Sequence, residues 1–457
     1  MQLPQRLLDS LKDVKGFDKE AFEKVHASGE QVTSVRINPF KSATVSREPS
    51  VEELFHDSRL TSPVPWTQHG FYLAKRPSFT FDPLFHAGCY YVQEASSMFL
   101  EQALKQTVDL SKPLKVLDLC AAPGGKSTHI QSLISKDSLL VSNEVIKSRA
   151  NILKDNIIKW GCQNVMVTNN DPKDFAKLEG YFDVIVIDAP CSGSGLFRRE
   201  PEAIEEWSEN NVQLCSQRQQ RIMADVWAAL KENGILIYST CSYSKDEDEE
   251  IVNWLMNELP AANCPLQIDK SWGITESGNG YRFWPDKVKG EGFFIACFQK
   301  NNEQEENFFK TKNKPGPATK REMEMIASWT STDNSQFIKY KNTVYAWPSL
   351  LVNDFNWLLS QLRVIYSGIL TGELMRDKLV PDHALAMSGL VKAGVTKIEL
   401  TYEEAIHYLQ RKDLSINPGT KGWQLVTYQD YNLGWINALP NRINNYYPKE
   451  LRILNDN

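Results

Sequence analysis

Residues 116–128 read VLDLCAAPGGKST. An apolar run enters a group of small residues with two adjacent glycines, and a polar stretch follows. A strand that ends in a glycine loop before a helix lets the backbone approach a bound molecule closely. The first turn of the helix then offers unpaired N–H groups to an anion. This stretch therefore predicts a ligand-binding loop at the carboxyl end of a β-strand.

Apolar runs and helical patterns alternate around this loop. The patterns predict strands over residues 114–119, 138–143, 165–168, 182–187 and 234–239, and helices over 146–160 and 210–230. This alternation is typical of an α/β fold with a doubly wound parallel sheet, whose right-handed crossovers place the loops after the strands along one edge. A further helix is predicted over 245–257, because Ser244 and Glu247 have the capping-box spacing and the nearby acidic side chains suit a helix start.

The composition is that of an ordinary globular protein. The chain has 457 residues, of which 42% are hydrophobic and 24% charged, with a formal net charge of -6. That charge argues against nonspecific coating of nucleic acid and leaves local basic patches for any polyanion. The eight cysteines form no Cys-x-x-Cys pair, so we predict reduced thiols and no metal site. No signal or membrane-spanning pattern is present, so we expect a cytoplasmic protein without a membrane partner.

Composition also predicts the division of the chain. Residues 301–320 are polar and contain Pro-Gly-Pro at 315–317, which is typical of a linker. Apolar and aromatic residues resume after it. We therefore predict an amino-terminal unit over 1–85, a central domain over 86–300, a linker over 301–321 and a carboxy-terminal domain over 322–457.

Two ligands could fit the glycine loop. A phosphate loop of a nucleotide hydrolase requires Gly-x-x-x-x-Gly-Lys-Ser/Thr, but Cys120 stands at the first glycine position. The other ligand is S-adenosylmethionine, whose carboxylate would lie at the helix start. Glu144 follows the next predicted strand and could hold the ribose hydroxyls, and Asp171 follows the third strand and could reach the adenine.

Two cysteines follow the ends of the last two predicted parallel strands. Cys191 lies in Asp-Ala-Pro-Cys-Ser-Gly and Cys241 lies in Ser-Thr-Cys-Ser. Cytosine becomes nucleophilic at carbon-5 when a thiolate adds at carbon-6, and a second group can then help the adduct to eliminate. Asp188 could stabilise the charge that develops at the ring nitrogen as the thiol adds. A helix start near Lys245 or the side chain of Lys126 could activate a thiol by lowering its pKa.

The combination of motifs resembles the Sun family of RNA cytosine-5 methyltransferases. The matching stretches are DLCAAPGGK at 118–126, DAPCSGSG at 188–195 and YSTCS at 238–242, together with QEASSM at 93–98 and EGFF at 291–294. The resemblance implies that Cys241 is the nucleophile and that Cys191 assists release of the product, with Asp188 and Lys126 completing the catalytic set. It also implies that S-adenosylmethionine is held by Cys120, Ala121, Ala122, Pro123, Gly124, Gly125, Lys126, Glu144, Asp171 and Asp188.

Both ends of the chain resemble the small-subunit ribosomal RNA methyltransferase F branch of this family. The stretch SVRINP at 34–39 is similar to its amino-terminal RNA-facing module, and GILTGEL at 368–374, PDHALA at 381–386 and GWQLVTY at 422–428 are similar to its carboxy-terminal PUA-like domain. Asn437 and Asn444 stand where lysines are expected, which weakens the case for phosphate contacts there. The RNA-binding candidates are Arg36, Arg198, Arg199, Arg442 and Lys449, with Arg452 beside them.

The resemblance implies a monomeric enzyme that methylates carbon-5 of a cytidine in ribosomal RNA, free or within the small subunit. Transfer RNA could be the substrate of the same chemistry, and a hydrolase that uses the Gly-Gly-Lys-Ser loop is the alternative from a different class. Because the two thiols would lie in a cleft, the target base has to leave its stack, which costs a few kcal/mol.

Overall fold

The computed structural model describes residues 3–42, 60–301, 316–417 and 419–454. Its amino-terminal part is a four-stranded antiparallel sheet in the order β2-β3-β1-β4, flanked by short helices. The elements are α1 (Gln5–Ser10), α2 (Lys19–Ala27), β1 (Thr33–Ile37), α3 (Pro39–Ser42), β2 (Leu60–Pro63), β3 (Gly70–Leu73), α4 (Pro83–His86) and β4 (Tyr90–Val92). The boundary predicted between residues 85 and 86 stays a prediction, and β4, which lies beyond it, completes this sheet by pairing with β1.

The central part is an α/β sheet flanked by helices. Its elements are α5 (Leu100–Thr107), β5 (Lys115–Asp118), α6 (Gly125–Leu133), β6 (Leu139–Asn143), α7 (Lys147–Trp160), β7 (Val165–Thr168), β8 (Phe182–Asp188), α8 (Ala203–Glu206), α9 (Glu209–Val226), β9 (Leu230–Thr240), α10 (Glu249–Glu258), β10 (Ala261–Asn263), β11 (Thr275–Ser277), β12 (Gly280–Phe283) and β13 (Phe293–Lys300). Each of the five predicted strands is present, and the doubly wound fold is confirmed.

The strand order places the ligand-binding edge. Parallel strands run β7-β6-β5-β8-β9, and β13, β12 and β11 continue the sheet in antiparallel pairings. The order reverses at β5, because β6 lies on one side of it and β8 on the other. Open α/β sheets bind ligands at such a switch point, beyond the carboxyl ends of the strands. The glycine loop follows β5 and the two cysteine motifs follow β8 and β9, so all three meet at one edge.

Burial on both faces explains why the strands are almost continuously apolar. In β8, Val184 and Val186 pack into one core, whereas Ile185 and Ile187 pack into the core on the opposite face. All four side chains are fully buried. Successive strand residues point to opposite faces, so a sheet covered on both sides needs apolar residues at every position. This double burial makes the sheet a rigid platform for the loops at its edge.

The carboxy-terminal part contains two four-stranded sheets rather than one. Its elements are α11 (Lys320–Ile326), β14 (Ser335–Tyr340), β15 (Thr343–Pro348), α12 (Val352–Gln361), β16 (Val364–Ser367), β17 (Ile369–Met375), β18 (Lys378–Pro381), α13 (His383–Met387), β19 (Lys397–Glu399), α14 (Tyr402–Leu409), β20 (Gly422–Tyr428), β21 (Tyr431–Leu439) and β22 (Arg442–Asn445). The sheets run β14-β15-β17-β18 and β19-β20-β21-β22.

This part is joined to the central sheet by a strand. β16 pairs antiparallel with β7, with Tyr366 opposite Val167. The pairing satisfies the backbone groups of β7 that would otherwise form an exposed edge. Of the predicted linker 301–321, residues 302–315 lie outside the described residues, and Pro317 already bridges Ile338 of β14. Within the described residues, no helix has the length and apolar character that crossing a bilayer requires.

Candidate active site

The two predicted thiols meet at the sheet edge. β8 and β9 pair with Asp188 opposite Ser239, and the chain then continues to Cys191 and Cys241. Their Sγ atoms are 3.1 Å apart, both cysteines are partly buried, and neither forms a disulfide. The Gly195 N–H also donates to the Cys241 carbonyl at 2.8 Å, which fixes the two cysteine loops to each other. The sequence alone predicted that both cysteines lie at this edge of the sheet. The register of β8 and β9 brings their sulfur atoms into contact.

The surroundings of the thiols distinguish them. The hydrogen bond with Cys241 and burial raise the pKa of Cys191 well above its usual value. Cys191 therefore keeps its proton and can donate it toward the sulfur of Cys241. This arrangement suits Cys241 as the sulfur that attacks as a thiolate, because an S–H donor stabilises a neighbouring thiolate.

The predicted activation of a thiol by a helix start near Lys245 is wrong. Residues 245–247 form a single 3-10 turn, and α10 begins only at Glu249. Ser244 makes no capping hydrogen bond through its side chain. The carboxylate that occupies this place, that of Glu247, is fully buried and contributes to raising the pKa of Cys191.

Asp188 and Lys126 form an ion pair beside the thiols. The Lys126 ammonium lies 2.8 Å from Asp188 Oδ1, and Ser239 Oγ donates to the same oxygen at 2.8 Å. The Asp188 side chain is 38% exposed, whereas that of Lys126 is 10% exposed. The ion pair therefore joins a largely buried ammonium to a carboxyl group that is partly open to solvent. Lys126, one of the two groups predicted to activate a thiol, forms its ion pair with Asp188.

The sequence reasoning missed Glu247, which lies between the two cysteine loops. Its carboxylate accepts hydrogen bonds from the Ser192 N–H at 2.7 Å, the Ser192 hydroxyl at 2.5 Å and the Ser242 hydroxyl at 2.7 Å. Burial raises the pKa of Glu247. The acidic run 246–250 was interpreted only as a helix start. A serine directly after each cysteine was the signal that could have identified a shared acceptor.

The glycine loop is held from behind by α7. Arg149 donates to the Ala122 carbonyl and Asn156 donates to the Pro123 carbonyl, each at 2.8 Å. Gly124 has a φ of 119°, in the left-handed region that favours glycine, and a Cβ atom there would lie 3.3 Å from the Leu153 side chain. These contacts occupy the carbonyl groups of the loop and direct it into the first turn of α6. Burial raises the pKa of the Cys120 thiol, which stays neutral.

The two predicted acidic ligands follow β6 and β7. Glu144 is buried and accepts a hydrogen bond from the Ile146 N–H at 2.8 Å, while its other oxygen is 3.4 Å from Arg149. Asp171 is partly exposed and accepts from the Lys173 N–H at 3.2 Å. Val145 and Ile146, which the sequence reasoning missed, are 55% and 49% exposed beside Glu144.

These groups fit adenosylmethionine. Helix N–H groups suit its carboxylate, an oriented acid suits its ribose hydroxyls, and exposed apolar side chains suit the face of its adenine. Val145 and Ile146 had a sequence signal, an apolar pair directly after the acid that ends a strand.

A second missed residue is Asp118, at the end of β5. Its side chain is fully buried, Oδ2 accepts a hydrogen bond from the Ser127 hydroxyl at 2.6 Å, and Oδ1 has no partner among the described residues. Burial raises its pKa to about 7, and the carboxylates of Asp188 and Glu144 act in the same direction. The acid therefore binds a proton in the folded chain across a range in which it would be ionised in the unfolded chain.

Replacement of Asp118 by asparagine is expected to change the dependence of stability on pH. Because folding raises this pKa from 3.8 to about 7, its contribution to stability is present below pH 4 and is lost as the pH rises through 7. Asp118→Asn should therefore stabilise the protein more at pH 8 than at pH 4. The changes that it causes in the free energy of unfolding at these two pH values should differ by roughly 1 to 4 kcal/mol. Thermal unfolding midpoints across this range measure the effect. The exposed Asp13→Asn is the control, and parallel curves for wild type and Asp118→Asn would contradict the prediction.

Two predicted RNA contacts are wrong because their side chains are buried. The Arg36 guanidinium donates to Gln93 Oε1 at 2.8 Å and Thr128 Oγ1 at 2.6 Å, so it ties the amino-terminal sheet to α6. Burial lowers its pKa to about 9. Arg198 is paired with buried Glu291 at 3.2 Å. Neither cation reaches a phosphate in this arrangement.

The other RNA candidates are exposed. Arg199 lines a cleft between the amino-terminal sheet and the loop after β8. Arg442 and Lys449 line two grooves of about 420 and 510 Å³ beside β22. Asn437 and Asn444 lie opposite each other in β21 and β22, and Asn444 lines the larger groove.

Family models match three parts of the chain. The model described as 16S rRNA methyltransferase RsmB/F matches residues 105–299, the N-terminal domain of 16S rRNA methyltransferase RsmF matches 3–95, and the methyltransferase RsmF PUA domain matches 395–453. The ribosomal RNA small subunit methyltransferase F of Shewanella woodyi is 31% identical over 442 residues, covering 92% of this chain and 90% of that protein. The chain belongs to the ribosomal RNA small subunit methyltransferase F family.

Other relatives agree with this membership. The methyltransferase F of Vibrio parahaemolyticus is 30% identical over 445 residues, covering 92% of this chain and 91% of that protein. A solved structure of a methyltransferase homolog protein from Pyrococcus horikoshii is 27% identical, with a TM-score of 0.51, and covers 65% of this chain and all of that one. NSun6 from Pyrococcus horikoshii, solved with SFG, has a TM-score of 0.55 at 20% identity over 66% of this chain and 99% of that one, which shows a shared fold.

Family membership confirms the resemblance drawn from the motifs. As a member of the methyltransferase F family, the chain is an RNA methyltransferase of the adenosylmethionine-dependent class. The predicted PUA-like domain is present, and the matching model covers residues 395–453, which contain the second carboxy-terminal sheet. The assignment of all of residues 322–457 to one domain stays a prediction.

Proposed function

We propose that this enzyme methylates carbon-5 of a cytidine in small-subunit ribosomal RNA through a covalent adduct between Cys241 and the base. The observation that carries the proposal is the 3.1 Å contact between the Cys191 and Cys241 sulfurs beside Asp188. Methylation at an oxygen or nitrogen atom needs no thiol, whereas carbon-5 of cytosine has to be made nucleophilic by addition at carbon-6. Two thiols at the same edge of the sheet supply both an attacking group and a group that assists elimination.

The side chains divide the proton transfers of this reaction. The Cys241 thiolate forms a bond to carbon-6. As negative charge develops at the ring nitrogen, the Lys126–Asp188 ion pair supplies a proton to it, with the Asp188 carboxylate passing on the proton that the Lys126 ammonium gives up. Lys126 keeps the Asp188 carboxyl group oriented. After carbon-5 has gained its methyl group, a base takes the carbon-5 proton and the bond between sulfur and carbon-6 breaks. The Cys241 thiolate leaves, the ring nitrogen returns its proton to the Asp188–Lys126 pair, and Cys191 stabilises the leaving sulfur by donating a hydrogen bond to it.

Adenosylmethionine supplies an electrophilic methyl group when it is bound at the glycine loop. The backbone from Cys120 to Lys126 would hold its amino acid end, Glu144 its ribose, and Asp171 its adenine, with Asp188 at the side nearest the thiols. The left-handed φ of Gly124 and the buried position of Glu144 support this placement. A single cleft would then contain the donor, the acid and both sulfurs.

The RNA is proposed to bind across exposed cations of the central and carboxy-terminal parts of the chain. Arg199, Arg442 and Lys449 would contact phosphate groups, which gives an affinity that falls with salt. The target cytidine would leave its stack to reach the sulfurs, so a loop or weakly paired nucleotide is favoured. Because the curated relatives are named for small-subunit ribosomal RNA, we propose that substrate, with the protein acting as a monomer in the cytoplasm.

Ligand-dependent stabilisation distinguishes the proposed cofactor from a nucleotide. We expect S-adenosylhomocysteine without metal to raise the thermal unfolding midpoint, and ATP with magnesium to leave it unchanged. Glu144→Gln should weaken adenosylhomocysteine binding by about tenfold, because a charged acceptor of the ribose hydroxyls is lost. The exposed variant Glu250→Gln is the matched control. Stabilisation by ATP with magnesium alone would instead favour the hydrolase that uses the Gly-Gly-Lys-Ser loop.

The substrate is tested in the organism that carries the gene. Bisulfite sequencing of ribosomal and transfer RNA from a strain lacking this protein should show the loss of 5-methylcytidine from small-subunit ribosomal RNA, and restoration on return of the gene. Loss confined to transfer RNA would retain the chemistry and reject the proposed substrate. No change in either RNA would reject cytosine-5 methylation.

A further inference from the structure

Glu247 has no contact with a reacting sulfur, yet it joins the loops that carry both of them. Ser192, next to Cys191, donates two hydrogen bonds to its carboxylate, and Ser242, next to Cys241, donates one. Both serines and the glutamate are buried. The two loops otherwise follow separate strands, fifty residues apart in the chain. A single carboxylate therefore fixes the residue adjacent to each sulfur.

The helix behind the site holds Glu247 itself. Gln219 of α9 donates to its Oε1 at 3.4 Å, and the Tyr238 hydroxyl donates to its backbone carbonyl at 2.6 Å. Gln219 also donates to the Pro190 carbonyl at 3.0 Å, and its Oε1 lies 3.0 Å from the Tyr238 hydroxyl oxygen. The carboxylate is therefore fixed by the core of the domain. Burying it is costly unless its acceptor positions are filled, and the serine groups fill them.

We propose that Glu247 is a positioning residue that keeps the Cys191 and Cys241 sulfurs in contact by binding the two loops together. The role of this contact in the reaction rests on the proposed function, because the contact affects turnover only if Cys191 assists elimination. The proposed contact itself is independent of that function. Loss of the carboxylate would free the Ser192 and Ser242 side chains from it, and the 3.1 Å separation of the sulfurs would then depend on the weaker set of bonds that remains between the loops, such as that from the Gly195 N–H to the Cys241 carbonyl.

Oxidation measures the contact directly. Diamide converts two adjacent thiols to one disulfide and takes up the two electrons and two protons. Wild-type protein should form the Cys191–Cys241 disulfide readily, as peptide mapping would detect. Glu247→Ala should form it at least about tenfold more slowly, and Glu247→Gln, which keeps an acceptor for the Ser192 N–H, should be intermediate. Glu250→Ala on the exposed side of α10 is the matched control. Wild-type oxidation rates in Glu247→Ala would overturn the proposal.

Three further measurements separate a local effect from unfolding and from failure of the proposed function. Ser242→Ala removes the bond between Glu247 and the Cys241 loop, together with the contacts of this hydroxyl with Ser192, Ser194 and the Ser244 N–H. It should also slow disulfide formation, and a wild-type rate there would overturn the proposal. Adenosylhomocysteine binding should be retained in all these variants, since the residues proposed to hold it lie in the glycine loop and after β6 and β7. With RNA, Glu247→Ala should release less product for each adduct formed, as in partial loss of Cys191. If wild-type enzyme forms no RNA adduct, the proposed function fails while the oxidation experiment still tests Glu247.

Discussion

Cys241→Ala is expected to eliminate both the covalent RNA adduct and the methylated product. Under the proposed mechanism, no other group in the site can add to carbon-6, since Cys191 keeps its proton beside Cys241. Loss of a covalent nucleophile reduces turnover by about 10⁴- to 10⁶-fold in comparable enzymes. Transfer of labelled methyl groups to small-subunit ribosomal RNA measures the product, and denaturing gels measure the adduct.

The control for Cys241→Ala is a cysteine outside the site. Cys264 lies next to β10 and is partly buried, so Cys264→Ala removes a thiol of similar exposure without touching the cleft. Normal binding of adenosylhomocysteine by Cys241→Ala would show that the fold is intact. Product formation by Cys241→Ala at the wild-type rate would contradict the role of this sulfur as nucleophile.

Cys191→Ala is expected to give the opposite pattern of adduct and product. The attacking thiolate remains, so RNA is captured, but the S–H group that lies 3.1 Å from Cys241 is lost. The sulfur that leaves carbon-6 is then less stabilised. We expect a protein–RNA adduct that resists denaturation and a fall in product release of about 10²-fold or more.

The same gels and methyl-transfer assays compare the two cysteine variants directly. Cys191→Ala should accumulate adduct when Cys241→Ala forms none, and the double variant should behave as Cys241→Ala. If the two single variants exchanged these phenotypes, the order of the thiols would be reversed.

The electrostatics of the site explain why the two cysteines are not interchangeable. The pKa of Cys191 is raised by its hydrogen bond with Cys241, by burial and by the negative charge of Glu247. A nucleophilic sulfur requires the ionised form, whereas a sulfur that assists a leaving thiolate requires the proton. The geometry thus supports the order of roles that the family resemblance implied.

The structure changed the interpretation of several charged residues. Arg36 and Arg198 were predicted to face RNA but are buried against partners far away in the chain. Glu247 was predicted to act at a helix start and instead joins two loops. Local patterns identify charged residues without giving their partners, because those partners are fixed only when distant elements pack. The exposed cations Arg199, Arg442 and Lys449 remain for contacts with RNA.

Local sequence patterns were enough to predict the parallel sheet, the glycine loop and the two cysteine motifs. Strand periodicity and strand-end position are local properties, and in an open α/β sheet they also fix the edge at which loops meet. The contact between the sulfurs and the bridge that Glu247 forms between their loops became visible only in the folded chain. The same holds for β4 and β16, which complete sheets outside the domains predicted for them. These features depend on strand register and on side-chain contacts between distant segments, which local patterns do not encode.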